Sequence, residues 1–264
     1  MIEKEIEEFT KYYNTFDTNV EAIKMKYNHT LRVIGYAKKI IENEQIDDDV
    51  KRLSLLGALL HDIARFKQWT DYGTYSNQDS FDHGDMGYEI LKKDDYINNY
   101  VQDEKEKNII LNAVKQHNKK YLELSNDVKK DCVAKVARDA DKIDILVHQY
   151  NLDDTNLYLY KNYLNEFGKI SEKQFIISDI LVEDLLNHRL CSNENVKYYF
   201  DAVLREMAFV FDLNFKASFK IVKDLKIVDK KIKLLNEYNK KDTEKINLIA
   251  KTINDFIDEK LEEI

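Results

Sequence analysis

The chain has 264 residues, enough for one large domain or a core with an extension, and enough to bury a core without disulfides. It contains no proline and only six glycines, and Lys, Glu, Asn, Ile and Leu recur at helical spacing, which predicts an all-α protein. A formal charge of −8 disfavours a general duplex nucleic-acid surface and leaves room for a local basic pocket that meets a small phosphate ester.

The N-terminal residues carry no signal-peptide core, and no stretch approaches the roughly 20 apolar residues that span a bilayer. Cys132 and Cys191 are the only cysteines and read as plain thiols. A soluble, cytoplasmic protein with no membrane partner is the expectation.

In chain order, Ile2, Ile6, Phe9 and Tyr13 predict a helix over roughly 2–14, and Asp17-Thr-Asn19 is expected to cap the next. That second helix carries His29, whose apolar face continues through Val33, Tyr36, Ala37 and Ile40. Asp47 to Asp49 are expected to cap a third helix, in which the apolar run Leu53 to Leu60 ends in His61-Asp62. Neighbouring side chains on a helix diverge by about 100°, so a cation lying between them can meet both.

Residues 66–82 lose periodicity and concentrate aromatics and short polar side chains, which predicts a long loop of the kind that forms a lid or binding edge. Helical pattern resumes after His83 with Met86, Ile90 and Leu91. Ile110, Ala113, Val114 and His117 then share a face, as do Val133, Val136, Ala137, Ala140 and Asp141 on the following helix. Beyond about residue 150 two apolar segments, near 176–190 and 196–222, precede a Lys-rich amphipathic tail over 224–264. The expected organisation is a core over 1–150 and a helical extension over 151–264 packed on it.

His29, His61, Asp62, His83, His117 and Asp141 each fall at or near the inward face of a helix or a helix start. Imidazole with carboxylate suits Mn, Fe, Co, Ni or Zn, and the lack of thiolates argues against a structural zinc knot. Four of the six histidines join this set. One buried histidine would ordinarily be a satisfied core residue; it is the ordered set that points to metal.

The order H…HD…D is carried by His29 in Tyr-Asn-His-Thr-Leu-Arg-Val, by His61-Asp62 in Ala-Leu-Leu-His-Asp-Ile-Ala-Arg, and by Asp141 in Arg-Asp-Ala-Asp-Lys-Ile-Asp. Over about residues 25–150 it resembles the HD-domain superfamily of metal-dependent phosphohydrolases. The resemblance implies an all-helical core in which His29, His61, Asp62 and Asp141 hold one divalent metal. Asp141 is preferred over Asp139 because Lys142 follows it and because it extends the row of Val133 and Ala137. His83 and His117 match a subset of the superfamily that binds a second ion, with Asp62 as the bridge; Mg also belongs to the range of ions considered. Should one ion bind, His83 becomes a candidate proton donor.

Within the superfamily, Asn-Lys-Lys-Tyr follows His117 where the cyclic-dinucleotide branch carries Gly-Tyr-Pro, and Ile-Ala-Arg-Phe follows His61-Asp62 where alarmone hydrolases use a Glu-Asp pair. A bacterial group that cleaves dinucleoside tetraphosphates is similar in its ligand order. The resemblance therefore implies hydrolysis of a phosphoester or phosphoanhydride of a small substrate, expected to be a nucleotide, with catalytic parts for Asp62, His83, Arg65 and Lys142. Arg65, Lys142 and Lys115 are candidates to meet phosphate, although Arg65 and Lys142 could equally pair with Asp62 or Asp144. Trp69, Tyr72 and Tyr75 could stack on a base or hold the loop down. His148 and His188 read as structural or solvent-facing. The alternative is a non-catalytic regulatory module that senses a nucleotide or a metal.

Overall fold

The structure is a computed structural model and describes residues 1–148 and 175–263, the side chain of His148 excepted. Every regular element among them is helical, and no strand occurs. No helix among the described residues is long and apolar enough to cross a membrane. The chain divides into two compact units, Met1–Asp144 and Ile145–Ile264. The boundary expected at 150/151 lies outside the described residues.

The first unit is built from α1 (Glu3–Tyr13), α2 (Glu21–Asn43), α3 (Asp48–Leu60), α4 (Ala64–Tyr72), α5 (His83–Lys92), α6 (Glu104–Gln116) and most of α7 (Val128–His148). α3 is its spine. Leu53 through Leu60 are all buried, because α2 packs on one side of this helix and α6 on another. An apolar run with no polar face is what a helix surrounded by others requires. On α7, Val133, Ala134, Val136, Ala137 and Ala140 are fully buried and continue the core.

Two cap expectations are corrected. Val20, not the Asp17–Asn19 segment, occupies the N-cap of α2, and Asp17 instead accepts the Asn19 amide at 3.0 Å in the turn before it. Asp47 sits at the N-cap of α3 but makes no side-chain cap; Asp48 and Asp49 lie in the first turn, where the helix dipole favours carboxylates. Side chains that do cap include Asp82 on α5, accepting the amides of Gly84 at 2.9 Å and Asp85 at 3.0 Å, Asp103 on α6, accepting those of Lys105 and Glu106, and Asp127 before α7, accepting those of Lys129 and Lys130.

The loop expected over 66–82 is also corrected. Residues 66–72 belong to α4, and the loop is confined to 73–82. The buried residues of α4 fall at 64, 66 and 68, a pattern without helical period, because the short helix is enclosed on more than one side. Phe66 is the reason: its ring meets Phe9 at 5.8 Å, Tyr13 at 5.6 Å and Phe16 at 5.6 Å, pinning α4 to the N-terminal aromatic cluster. Gly73 ends the helix at φ +65°, a left-handed conformation that glycine adopts without Cβ strain.

The second unit contains α8 (Asp179–Leu186), α9 (Tyr199–Met207), α10 (Lys216–Asp224), α11 (Ile227–Tyr238) and α12 (Thr243–Glu262). α12 packs on α8, α10 and α11. Within this unit Lys231 and Glu206, both essentially without exposure, form an ion pair at 2.8 Å. His188 is exposed and stacks on Phe211 at 5.0 Å, a structural role. Cys132 and Cys191 are free thiols.

Because Phe66 is fully buried in the aromatic cluster that anchors α4, Phe66→Ala is expected to cost about 3–5 kcal/mol of stability, read as a lower denaturant midpoint in equilibrium unfolding.

Candidate metal centre

α3 ends at Leu60, and His61 at its C-cap keeps helical dihedrals, φ −51° and ψ −44°. His61 and Asp62 thus occupy the first part of a tight turn leading into α4, with Asp62 only 3% exposed. α2 brings His29, the first residue of α5 is His83, His117 follows α6 directly, and α7 supplies Asp141. All six residues singled out by the sequence meet in one place.

They form two groups able to hold a cation: His29, His61 and Asp141, and Asp62, His83 and His117. In the first, His29 Nε2 lies 3.1 Å from Asp141 Oδ1 and 3.3 Å from His61 Nε2. In the second, His83 Nε2 and His117 Nε2 each lie 3.5 Å from Asp62 Oδ1. The other oxygen of the same carboxylate, Asp62 Oδ2, faces the first group, at 3.5 Å from His29 Nε2 and 3.6 Å from His61 Nε2. One carboxylate therefore offers one oxygen to each group.

The far side of each imidazole is engaged by an acceptor. His29 Nδ1 meets Asp144 Oδ2 at 2.7 Å, His61 Nδ1 meets the Ala58 carbonyl at 2.7 Å, His83 Nδ1 meets Asn77 Oδ1 at 2.8 Å, and His117 Nδ1 meets the Val114 carbonyl at 2.7 Å. A ring that donates through Nδ1 presents an Nε2 lone pair, so the four histidines are oriented as ligands rather than as inward donors. Arg32 holds Asp144 in turn, through Nε at 2.9 Å. Arg138, buried on α7, donates to the carbonyls of Gln116 at 2.7 Å, His117 at 3.1 Å and Lys119 at 2.8 Å, and so fixes the end of α6 that carries His117.

Gly84 lets α5 approach α6 this closely. A Cβ there would lie 2.4 Å from Asn118 Oδ1 and 2.9 Å from the Lys115 carbonyl. Without one, the His83 and His117 rings stand 4.8 Å apart.

Burial alone would raise the Asp62 carboxyl, but Lys26, His61 and Arg65 together hold it well below the usual carboxylate range. Asp141 behaves alike: burial opposes ionisation and the hydrogen bonds to His29 and His61 overcome it. Burial, reinforced by Arg65 and His117, pushes His83 well below an ordinary histidine, and burial likewise lowers His117. At His29 burial and Lys26 work downward, yet Asp141 and Asp144 prevail and raise it.

Arg65 pairs with Asp62, Nε lying 3.3 Å from Oδ1, and Lys142 is buried beside Asp141 on α7. Lys115 lies over the Tyr88 ring, 5.2 Å from its centroid. Trp69 and Tyr75 pack on each other at 5.1 Å, and Tyr72 meets Phe81 edge-on at 5.6 Å. These contacts engage Trp69 and Tyr72 of α4 and Tyr75 of the loop in ring packing, with Tyr75 also lying under Lys26 and Arg65.

Sequence reasoning missed Lys26, whose ammonium is 2.8 Å from Asp62 Oδ2. Its position one helical turn before His29 was the available signal. Asp144 follows Asp141 by the same spacing. Arg138, Asn77 and Gln68 carry no local signal, because what they touch is distant in sequence or lies across a loop.

Among protein families, the HD domain matches residues 27–146. No curated protein and no solved structure matches the chain.

Two outcomes follow for cation binding. Asp144→Ala removes the His29 Nδ1 acceptor and is expected to weaken Mn²⁺ binding at the first group by about 10–100-fold in calorimetric titration. The first group is also expected to lose affinity at a higher pH than the second. His29 keeps its proton to higher pH than a free histidine and must release it to a cation, whereas His83 and His117 are already neutral. Titrations across a pH series read this order.

Proposed function

From the match of residues 27–146 to the HD domain, we propose that the protein is a divalent-metal-dependent phosphohydrolase cleaving a phosphoester or phosphoanhydride, with a nucleotide as the substrate. The observation that carries this reading is the division of Asp62 between two histidine pairs, Oδ2 toward His29 and His61 and Oδ1 toward His83 and His117. His29, His61, Asp62 and Asp141 would hold one cation, and Asp62, His83 and His117 a second. Bound there, such cations supply an activated water and neutralise charge on the attacking and leaving oxygens.

The protein's own residues prepare the site. His83 and His117, lowered by burial and engaged through Nδ1, are set to accept a cation, His29 must first release its proton, and an ionised Asp62 supplies charge to both positions. The depressed His83 pKa makes this side chain a poor proton donor at neutral pH, which supports a ligand role over general acid catalysis. Lys26 and Arg65 stand beside Asp62, on its two oxygens, as cations for a phosphoryl group. Lys142 is a further candidate. Tyr75, held between Lys26 and Arg65, lies where the remainder of a nucleotide could pass.

Phosphate release across a nucleotide panel, with Mn, Fe, Co, Ni, Mg and Zn supplied in turn, tests the assignment. Turnover by the unaltered protein and a loss of at least about 1,000-fold in Asp62→Ala and His61→Ala are expected, since a metal contributes several kcal/mol of transition-state stabilisation. Wild-type rates in both variants would overturn it. Nucleotide binding in the presence of metal without turnover over hours would instead assign the protein to the non-catalytic sensors.

A further inference from the structure

The two groups are not supported in the same way. His29, His61 and Asp141 are oriented by helices: Asp144 and Arg32 hold His29, and the Ala58 carbonyl of α3 holds His61. In the Asp62, His83 and His117 group, α6 holds His117, but Asp62 Oδ1 and His83 are tied to the loop 73–82, and one buried side chain joins those ties.

That side chain is Gln68, fully buried on α4. Its Oε1 accepts from Arg65 Nη1 at 2.7 Å. Its Nε2 donates to Ser80 Oγ at 2.8 Å, to the Phe81 carbonyl at 3.2 Å and to Asn77 Oδ1 at 3.3 Å. Each end leads to the same group. Through Arg65 the amide reaches Asp62 Oδ1, the oxygen facing His83 and His117; through Asn77 it reaches His83 Nδ1. Arg65 also binds the loop directly, donating to the Tyr75 carbonyl at 2.7 Å. A buried amide with all its polar atoms committed is costly to disturb, so the loop, Arg65 and Asn77 are held as one network.

We propose that Gln68 is a positioning residue that makes the second cation position, at Asp62, His83 and His117, conditional on the docked loop 73–82, while the first position forms without it. The inference rests on the two-cation reading above. Asp62 is common to both positions: hydrogen bonds through Arg65 tie its Oδ1 side to the loop, whereas on its Oδ2 side Lys26 meets the loop through the Tyr75 ring, 5.4 Å from the centroid. The first cation would accordingly bind to the helical frame, and the second would report the state of the loop that also carries Tyr75. Turnover would then depend on the docked loop.

The test is calorimetric titration of the full chain with Mn²⁺ alone. His83→Ala identifies which binding step belongs to the second position. Gln68→Leu is expected to weaken that step by about 10-fold or more while leaving the first within about 2-fold. Asn77→Ala, at an exposed loop position, is expected to fold, to produce the same selective loss, and to carry the test if Gln68→Leu does not fold. Equal weakening of both steps, or no change in the second step of Asn77→Ala, overturns the proposal and leaves the two-cation reading standing. Fewer than two Mn²⁺ ions bound by the unaltered protein overturns both.

Discussion

The first unit is organised around an ionised carboxylate in a place that opposes ionisation. Asp62 is nearly inaccessible to solvent, and a carboxylate moved there unaided would take up a proton. It stays charged because Lys26 and Arg65 each meet one oxygen and four imidazoles surround it with their Nε2 atoms. Such an arrangement concentrates ligand atoms more densely than packing requires, and cations satisfy it better than hydrogen bonds alone.

The helices serve this arrangement in distinct ways. α3 buries its whole C-terminal half, Leu53 to Leu60, which fixes where its end lies, so that His61 and Asp62 emerge in the interior. The chain then passes through Ile63 directly into α4, which Phe66 packs against the N-terminal aromatic cluster. Buried Arg138 binds the carbonyls at the end of α6, a task that water performs at most helix ends. The loop after α4 closes the remaining side through the Gln68 and Arg65 hydrogen bonds and the ring contacts of Tyr75 and Phe81.

Much of this was legible in the sequence because it is periodic or ordered. The all-helical class follows from spacing and the absence of proline, and the six ligand-type residues were identifiable because their order along the chain is itself a pattern. What escaped notice lacked periodicity. α4 was read as loop since its buried positions alternate and its aromatics look like loop residues until Phe66 is seen inside a cluster formed with α1 and α2. Gln68 and Asn77 acquire meaning only when the loop folds back across α4. Lys26 and Asp144 were within reach, each one turn from a ligand on its own helix, but sequence alone does not say which charged neighbours turn inward. The aspartates expected to cap α2 and α3 shape the preceding turn or favour the dipole instead, since an N-cap needs side-chain geometry as well as the right residue type.

The central claim is that Asp62 joins two cation positions. Crystals of the unaltered protein soaked in Mn²⁺ test it most directly through anomalous scattering. The account predicts two peaks about 3.5–4 Å apart, one on each oxygen of Asp62, the first shared with His29, His61 and Asp141 and the second with His83 and His117. A single peak, or two peaks of which either lacks Asp62 as a ligand, would contradict it.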